Sequence, residues 1–270
     1  MTLSQWLFGG FENPFKAGQW RPLHICTMLC CVLLIFAFYF ITKRSRDRER
    51  TRRIIVFSLA MAILFFEIMI RFVYSVKLYV LNQPCMNGVT ALWIILPKPW
   101  CAIACWSLIA SVFIKKAFFY NYASLSALLC SLIYFAYPGV GFNNEVLIFE
   151  NWYSIITHSL LLTMSVTLIT LKYTDFKYRE IWKVAICYTL TYAYGLLQIY
   201  VLKTQTDPMY FMPGGDIQAG ILKISYGLYL FLYIALILIF VNAFYLIQDR
   251  ATVKGGINSL KLKFRKSEKE

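Results

Sequence analysis

Residues 33–64 read LLIFAFYFITKRSRDRERTRRIIVFSLAMAIL. Ten apolar or weakly polar residues run into an eleven-residue stretch, 43–53, that holds seven Lys and Arg. Eleven more nearly apolar residues follow. No soluble helix or strand pairs two unbroken apolar runs around such a charged node. Two membrane spans joined by a retained basic turn do. Helices are the required form, because hydrocarbon cannot satisfy the backbone groups of open loops or sheet edges.

Working outward, the same pattern recurs. Long apolar segments lie at roughly 22–42, 54–77, 89–114, 117–137, 152–171, 181–202 and 219–247. A helix needs about 20 residues to cross a hydrocarbon layer of about 30 Å, so each is long enough. The third is interrupted by Pro97 and Pro99. Its helix is expected to begin near Trp100, after an irregular lead-in. The chain of 270 residues is 60% hydrophobic and 18% aromatic, with a mean hydropathy of +0.61, beyond what a soluble domain of this size carries. The expected fold is all-α: a single seven-helix transmembrane domain over residues 1–249, with a basic tail at 250–270.

The net charge of +14 would suggest nucleic acid in a soluble protein. Its placement argues for topology instead. Seven Lys and Arg lie in 43–53, two in 115–116, four in 172–183 and seven in 250–270, together 20 of the 27. All fall on one side of a seven-span chain. The positive-inside rule puts them in the cytoplasm, with the amino terminus outside and the carboxyl terminus inside. The start of the chain lacks the basic n-region and long apolar run of a signal peptide, so the first span is expected to target the chain to the membrane. A cell-membrane protein contacting lipids, with no nucleic-acid partner, is the expectation. The basic turns would attract anionic headgroups.

Ionisable groups at membrane depth are costly, which makes each a candidate site. Glu67 and Arg71 stand four apart on one face of the second span. They read as a locking ion pair or as the polar wall of a cavity. The two histidines, His24 and His158, belong to the outer halves of the first and fifth spans, and Cys101 heads the third at the same level. A thiol and an imidazole at one depth suggest a nucleophile and its base. Cys105, one turn below Cys101, reads as packing or as a substitute thiol. The other cysteines read as unpaired residues between helices, with Cys85 alone in a loop. No metal or soluble cofactor is expected, since no spacing matches a ligand set. The loops at 137–145 and 203–216 carry turn residues and aromatic or Met side chains suited to an interfacial anchor or a cap.

Several short motifs occur in order: Pro-x-His opening the first span (RPLHIC), an acid in the second (LFFEIMIR) and Leu-Pro-x-x-x-Cys opening the third (LPKPWC). Tyr-Pro-Gly follows the fourth, WYSIITH lies in the fifth and DPMYFM follows the sixth. This order resembles the YwaF-like family of integral membrane proteins. Its relatives include eukaryotic transmembrane protein 164, phospholipid acyltransferases and the androgen-dependent-TFPI-regulating lipid hydrolases. The resemblance implies a seven-helix bundle that handles acyl chains with a nucleophile and a histidine near the outer leaflet. It aligns Cys101 and His158 with that pair, and His24 and Glu67 with the first-span histidine and second-span acid. A lipid acyltransferase or hydrolase is the expected activity. The alternative is a non-enzymatic protein for lipid binding, transport or reception.

Overall fold

The computed structural model describes residues 3–8, 22–83, 91–97, 100–136, 148–202 and 222–249. Cys85, Lys98, Pro99, the 137–145 and 203–216 loops and the basic tail lie outside them. Nine α-helices occur among the described residues, and no strand: α1 Leu3–Phe8, α2 Pro22–Arg44, α3 Arg48–Tyr79, α4 Ala91–Ile95, α5 Trp100–Ile114, α6 Ala117–Ala136, α7 Phe149–Thr170, α8 Ile181–Leu196 and α9 Tyr226–Gln248. Six helical segments are long and apolar enough to cross a membrane: α2, α3, α6, α7, Tyr178–Val201 (which contains α8) and α9. The third predicted span is divided into α4 and α5. At 15 residues, α5 reaches about 22 Å, some 8 Å short of a full hydrocarbon layer. It starts at Trp100, where the two prolines release the chain into a helix.

The basic turn is tighter than expected. Helix runs through most of 43–53, and only Ser45–Asp47 leave it. Asp47 caps α3 by accepting from the Arg50 N–H at 2.9 Å, and the Ser45 and Thr51 hydroxyls bond at 2.6 Å. Glu49 pairs with Arg52 and Arg53 at 3.2 and 3.0 Å. These acceptors offset the crowding of cations at a helix N-terminus, where the macrodipole opposes positive charge. A two-residue joint, 115–116, links α5 to α6 and a ten-residue joint, 171–180, links α7 to α8, and both carry Lys or Arg, as the α2–α3 turn does. These joints make the basic end of the bundle.

The centre of the bundle is α6, which packs against α5, α7 and α8. Ala123, Ser124, Ala127 and Ser131 are fully buried along it, and the Ser124 and Ser131 hydroxyls bond back to carbonyls three residues earlier. Small residues let helix backbones approach closely where lipid supplies no hydrophobic drive to associate. At the edges, α2 and α9 bury little and present Leu33, Phe36, Phe231 and Ile239 outward, as lipid-facing helices do.

Side-chain hydrogen bonds close the basic end. The Asn121 amide donates to the Asp175 carbonyl at 2.8 Å and to the Tyr245 hydroxyl at 2.9 Å, and its oxygen accepts the Asp175 N–H at 3.0 Å. Tyr178 adds bonds to Asp249 and Asn242, both 2.9 Å. One buried amide thus joins α6, the α7–α8 joint and α9. Asn121→Ala should lower stability by about 2–4 kcal/mol, because it removes three hydrogen bonds that tie α6 to the α7–α8 joint and to α9. Equilibrium unfolding in mixed detergent micelles measures this.

Candidate functional site

At the opposite end, the helices gather the polar residues that the sequence singles out. Glu67 is fully buried on α3. One carboxylate oxygen accepts the Tyr153 hydroxyl of α7 at 2.7 Å, and the other accepts Arg71 Nη1 at 2.5 Å. The same Nη1 donates to the Glu67 carbonyl at 2.7 Å. The Arg71 guanidinium lies over the Trp106 ring, 5.2 Å from its centroid. The i,i+4 pair is therefore real, and it bridges α3 to α5 and α7.

Cys101 and Cys105 sit on the face of α5 that turns toward this pair. Both lie within electrostatic reach of Glu67. Cys105 is buried, whereas Cys101 keeps partial exposure. The head of α5 is pinned from α8. Tyr194 and Gln198 donate to the Pro97 carbonyl at 3.2 and 3.1 Å. Gln198 is placed by a π-helical turn, Leu197–Val201, an irregularity that occurs most often at functional sites. From the other side, the Trp100 indole donates to Ser126 Oγ at 2.9 Å. A helix that begins inside the bundle needs such clamps, since its first carbonyls and N–H groups lack intrahelical partners.

His158 lies on α7 and is half-buried. Its Nδ1 is 2.7 Å from the Ser154 carbonyl. A carbonyl only accepts, so Nδ1 carries the proton and Nε2 keeps its lone pair. The ring stacks on Tyr134 of α6 with centroids 3.7 Å apart and planes 9° from parallel. The Tyr134 hydroxyl accepts from Ser154 Oγ at 3.4 Å and is within electrostatic reach of Cys101. Helices α5 and α7 pack against each other. No hydrogen bond joins Cys101 to His158.

His24 is brought to a different partner. It is fully buried, donates to the Phe135 carbonyl and lies parallel to the Phe135 ring at 6.1 Å. The two histidines thus flank consecutive aromatic residues, and His24 fastens α2 rather than joining the Cys101–Glu67 group.

Two charged residues escaped the sequence reading. Lys77 and Glu150 form an ion pair of 2.7 Å with side chains 1% and 0% exposed. The signal was present: a lysine ends one apolar run and an acid opens another. Tyr153 and Tyr134 escaped too, because each reads as an ordinary interfacial aromatic.

A cavity of about 410 Å³ opens at the basic end, lined by Thr170, Lys172, Asp175, Lys177 and Asp249 among others. Lys177 is paired with Asp175 at 2.6 Å, which holds its ammonium above the usual lysine range. That cavity contains neither thiol nor imidazole, so the candidate site remains the cluster around Cys101. Among the described residues seven cysteines, Cys101 and Cys105 included, are unpaired. No curated protein and no solved structure matched the chain. The profile of the TMEM164 family matches residues 15–248, nearly the whole chain, and the chain belongs to the TMEM164 family.

Proposed function

We propose that this protein is a lipid acyltransferase or lipid hydrolase of the cell membrane, with Cys101 as nucleophile and His158 as general base. In this reading α5 completes a seventh crossing, the amino terminus is outside and the site faces the outer leaflet. The support for that orientation is the concentration of 20 of 27 cations in the sequence segments 43–53, 115–116, 172–183 and 250–270. The motif order shared with YwaF-like proteins and lipid hydrolases supports the acyl chemistry.

One observation carries the proposal. The partly exposed thiol and the partly exposed imidazole lie on helices that touch, with the imidazole held in the tautomer that leaves Nε2 basic. In the reaction, Cys101 Sγ attacks the ester carbonyl of a lipid while Nε2 takes the thiol proton. The tetrahedral adduct collapses as the C–O bond breaks and the departing alcohol receives that proton. An acyl thioester on Cys101 remains. Water or a second lipid hydroxyl then attacks it, losing its proton to His158, and the sulfur leaves and is reprotonated. A thiol–imidazole contact that forms only with substrate bound is ordinary for resting sites.

The test uses purified protein in detergent with phospholipid carrying a labelled acyl chain. Wild-type protein should yield a hydroxylamine-sensitive label on the peptide containing Cys101, and Cys101→Ala should yield none. Label that persists in Cys101→Ala, or no label in folded wild type, would favour the non-enzymatic lipid-binding or transport alternative.

A further inference from the structure

The amino-terminal helix α1 is too short to hold itself. It has six residues, fewer than two turns, and a helix of that length does not persist alone in water. Its helicity comes from its seat. Trp6, Leu7 and Phe8, each partly buried, pack on Ile70 and Val73 of α3 and on Phe149 of α7. The Trp6 and Phe149 rings meet edge to face, with centroids 5.4 Å apart and planes at 77°. Helix α1 thus lies across α3 and α7 and touches both.

One ring joins that seat to the candidate site. Tyr153 packs in the same cluster, and its hydroxyl donates to the buried Glu67 carboxylate at 2.7 Å. Glu67 lies within electrostatic reach of Cys101. The two helices under α1 are those that carry Glu67 and His158, so α1 straps together the parts whose relative position sets the site. Three features make the strap removable. No residue of α1 is fully buried. Thirteen residues, 9–21, separate it from α2, enough chain for α1 to leave its seat while α2 stays. Its sequence, LSQWLF, carries no charge, and Trp is at home in the membrane interface, which offers a second seat.

We propose that α1 is a latch on the candidate site: docked, it closes the end of the α3–α7 seam and holds Tyr153 on Glu67, and released to the membrane interface, it opens that seam toward Cys101. This is regulation of the site read above, and it rests on that reading for the activity it controls. The reactivity of the thiol then follows the fraction of molecules with α1 released.

The experiment follows alkylation of Cys101 by a membrane-soluble alkyl iodoacetamide in the full chain, held in phosphatidylcholine nanodiscs, with Cys31 and Cys187 read as controls in the same digest. Trp6→Ala should raise the Cys101 rate by about fivefold or more and leave both controls unchanged. Trp6→Phe keeps a ring against Phe149 and should stay within about twofold of wild type. A chain lacking residues 2–8 should match or exceed Trp6→Ala, and it decides the matter if Trp6→Ala does not fold. The same increase should appear in the His158→Gln background, since the latch acts on access and not through the base. Equal Cys101 rates in wild type and in the chain lacking residues 2–8 would overturn the proposal. A parallel rise at Cys31 and Cys187 would overturn it too, because it would mean general loosening. The latch and the acyl reading fail separately. Faster alkylation with no acyl label on Cys101 from labelled phospholipid would uphold the latch and refute the acyl chemistry, whereas acyl label with no change in alkylation would overturn the latch alone.

Discussion

His158→Ala should slow acyl transfer onto Cys101 by about 10²–10⁴-fold, the range that a positioned general base contributes. The protein should still fold, because the imidazole makes one recorded hydrogen bond, to a carbonyl of its own helix. What sets the base is its surroundings. The Ser154 carbonyl fixes the tautomer and Tyr134 fixes the ring plane. A graded series follows. Tyr134→Phe keeps the stacked ring and loses only a long hydroxyl contact of 3.4 Å, so activity should stay within about threefold. Tyr134→Leu removes the ring, and the rate should fall about tenfold with little change in KM, as the imidazole gains freedom. Single-turnover labelling of Cys101 measures all three. Equal activity in Tyr134→Leu and wild type would show that the stack is packing alone.

The second large effect concerns stability. Lys77 and Glu150 are sealed from solvent at the junction of α3 and α7. Removing one partner leaves the other charge buried without its counter-ion, so Lys77→Met should cost about 3–5 kcal/mol. Removing both charges is a different matter. The double variant Lys77→Met/Glu150→Leu should recover most of that loss, since a buried ion pair gains little over a packed apolar pair. Unfolding by titrated dodecyl sulfate in mixed micelles would show the pattern. A double variant as unstable as the sum of the singles would mean that the two residues act through other partners.

The place of six long apolar helices was legible because lipid imposes a length rule that those runs obey, whereas the third predicted span is divided into α4 and α5. The break before Trp100 was legible because proline excludes a helical N–H bond. The helices that carry Cys101, His158 and Arg71 followed from those runs. The partners were not legible. Tyr134 meets His158 across α6 and α7, and Tyr153 meets Glu67 over 86 residues of chain. Sequence periodicity names an inward face only where the outward face is polar. In lipid both faces are apolar, as along α9, whose exposed residues include Leu232, Leu236 and Ile239. Lys77 and Glu150 were missed for a related reason. A span drawn where apolar residues begin puts its end charges in the loops, yet α7 starts at Phe149 and takes Glu150 inside. The basic turn erred the opposite way: its charges suggested a loop, while Asp47 and Glu49 supply the capping that keeps it helical.

The central claim is that His158 activates the Cys101 thiol. The most direct measurement is the rate at which a membrane-soluble alkyl iodoacetamide modifies Cys101 at fixed pH, followed by mass spectrometry of the Cys101 peptide in wild type and in His158→Gln. The account predicts a rate at least about tenfold lower in His158→Gln, with modification of Cys187 unchanged as an internal control. Equal rates at Cys101 in the two proteins would contradict it.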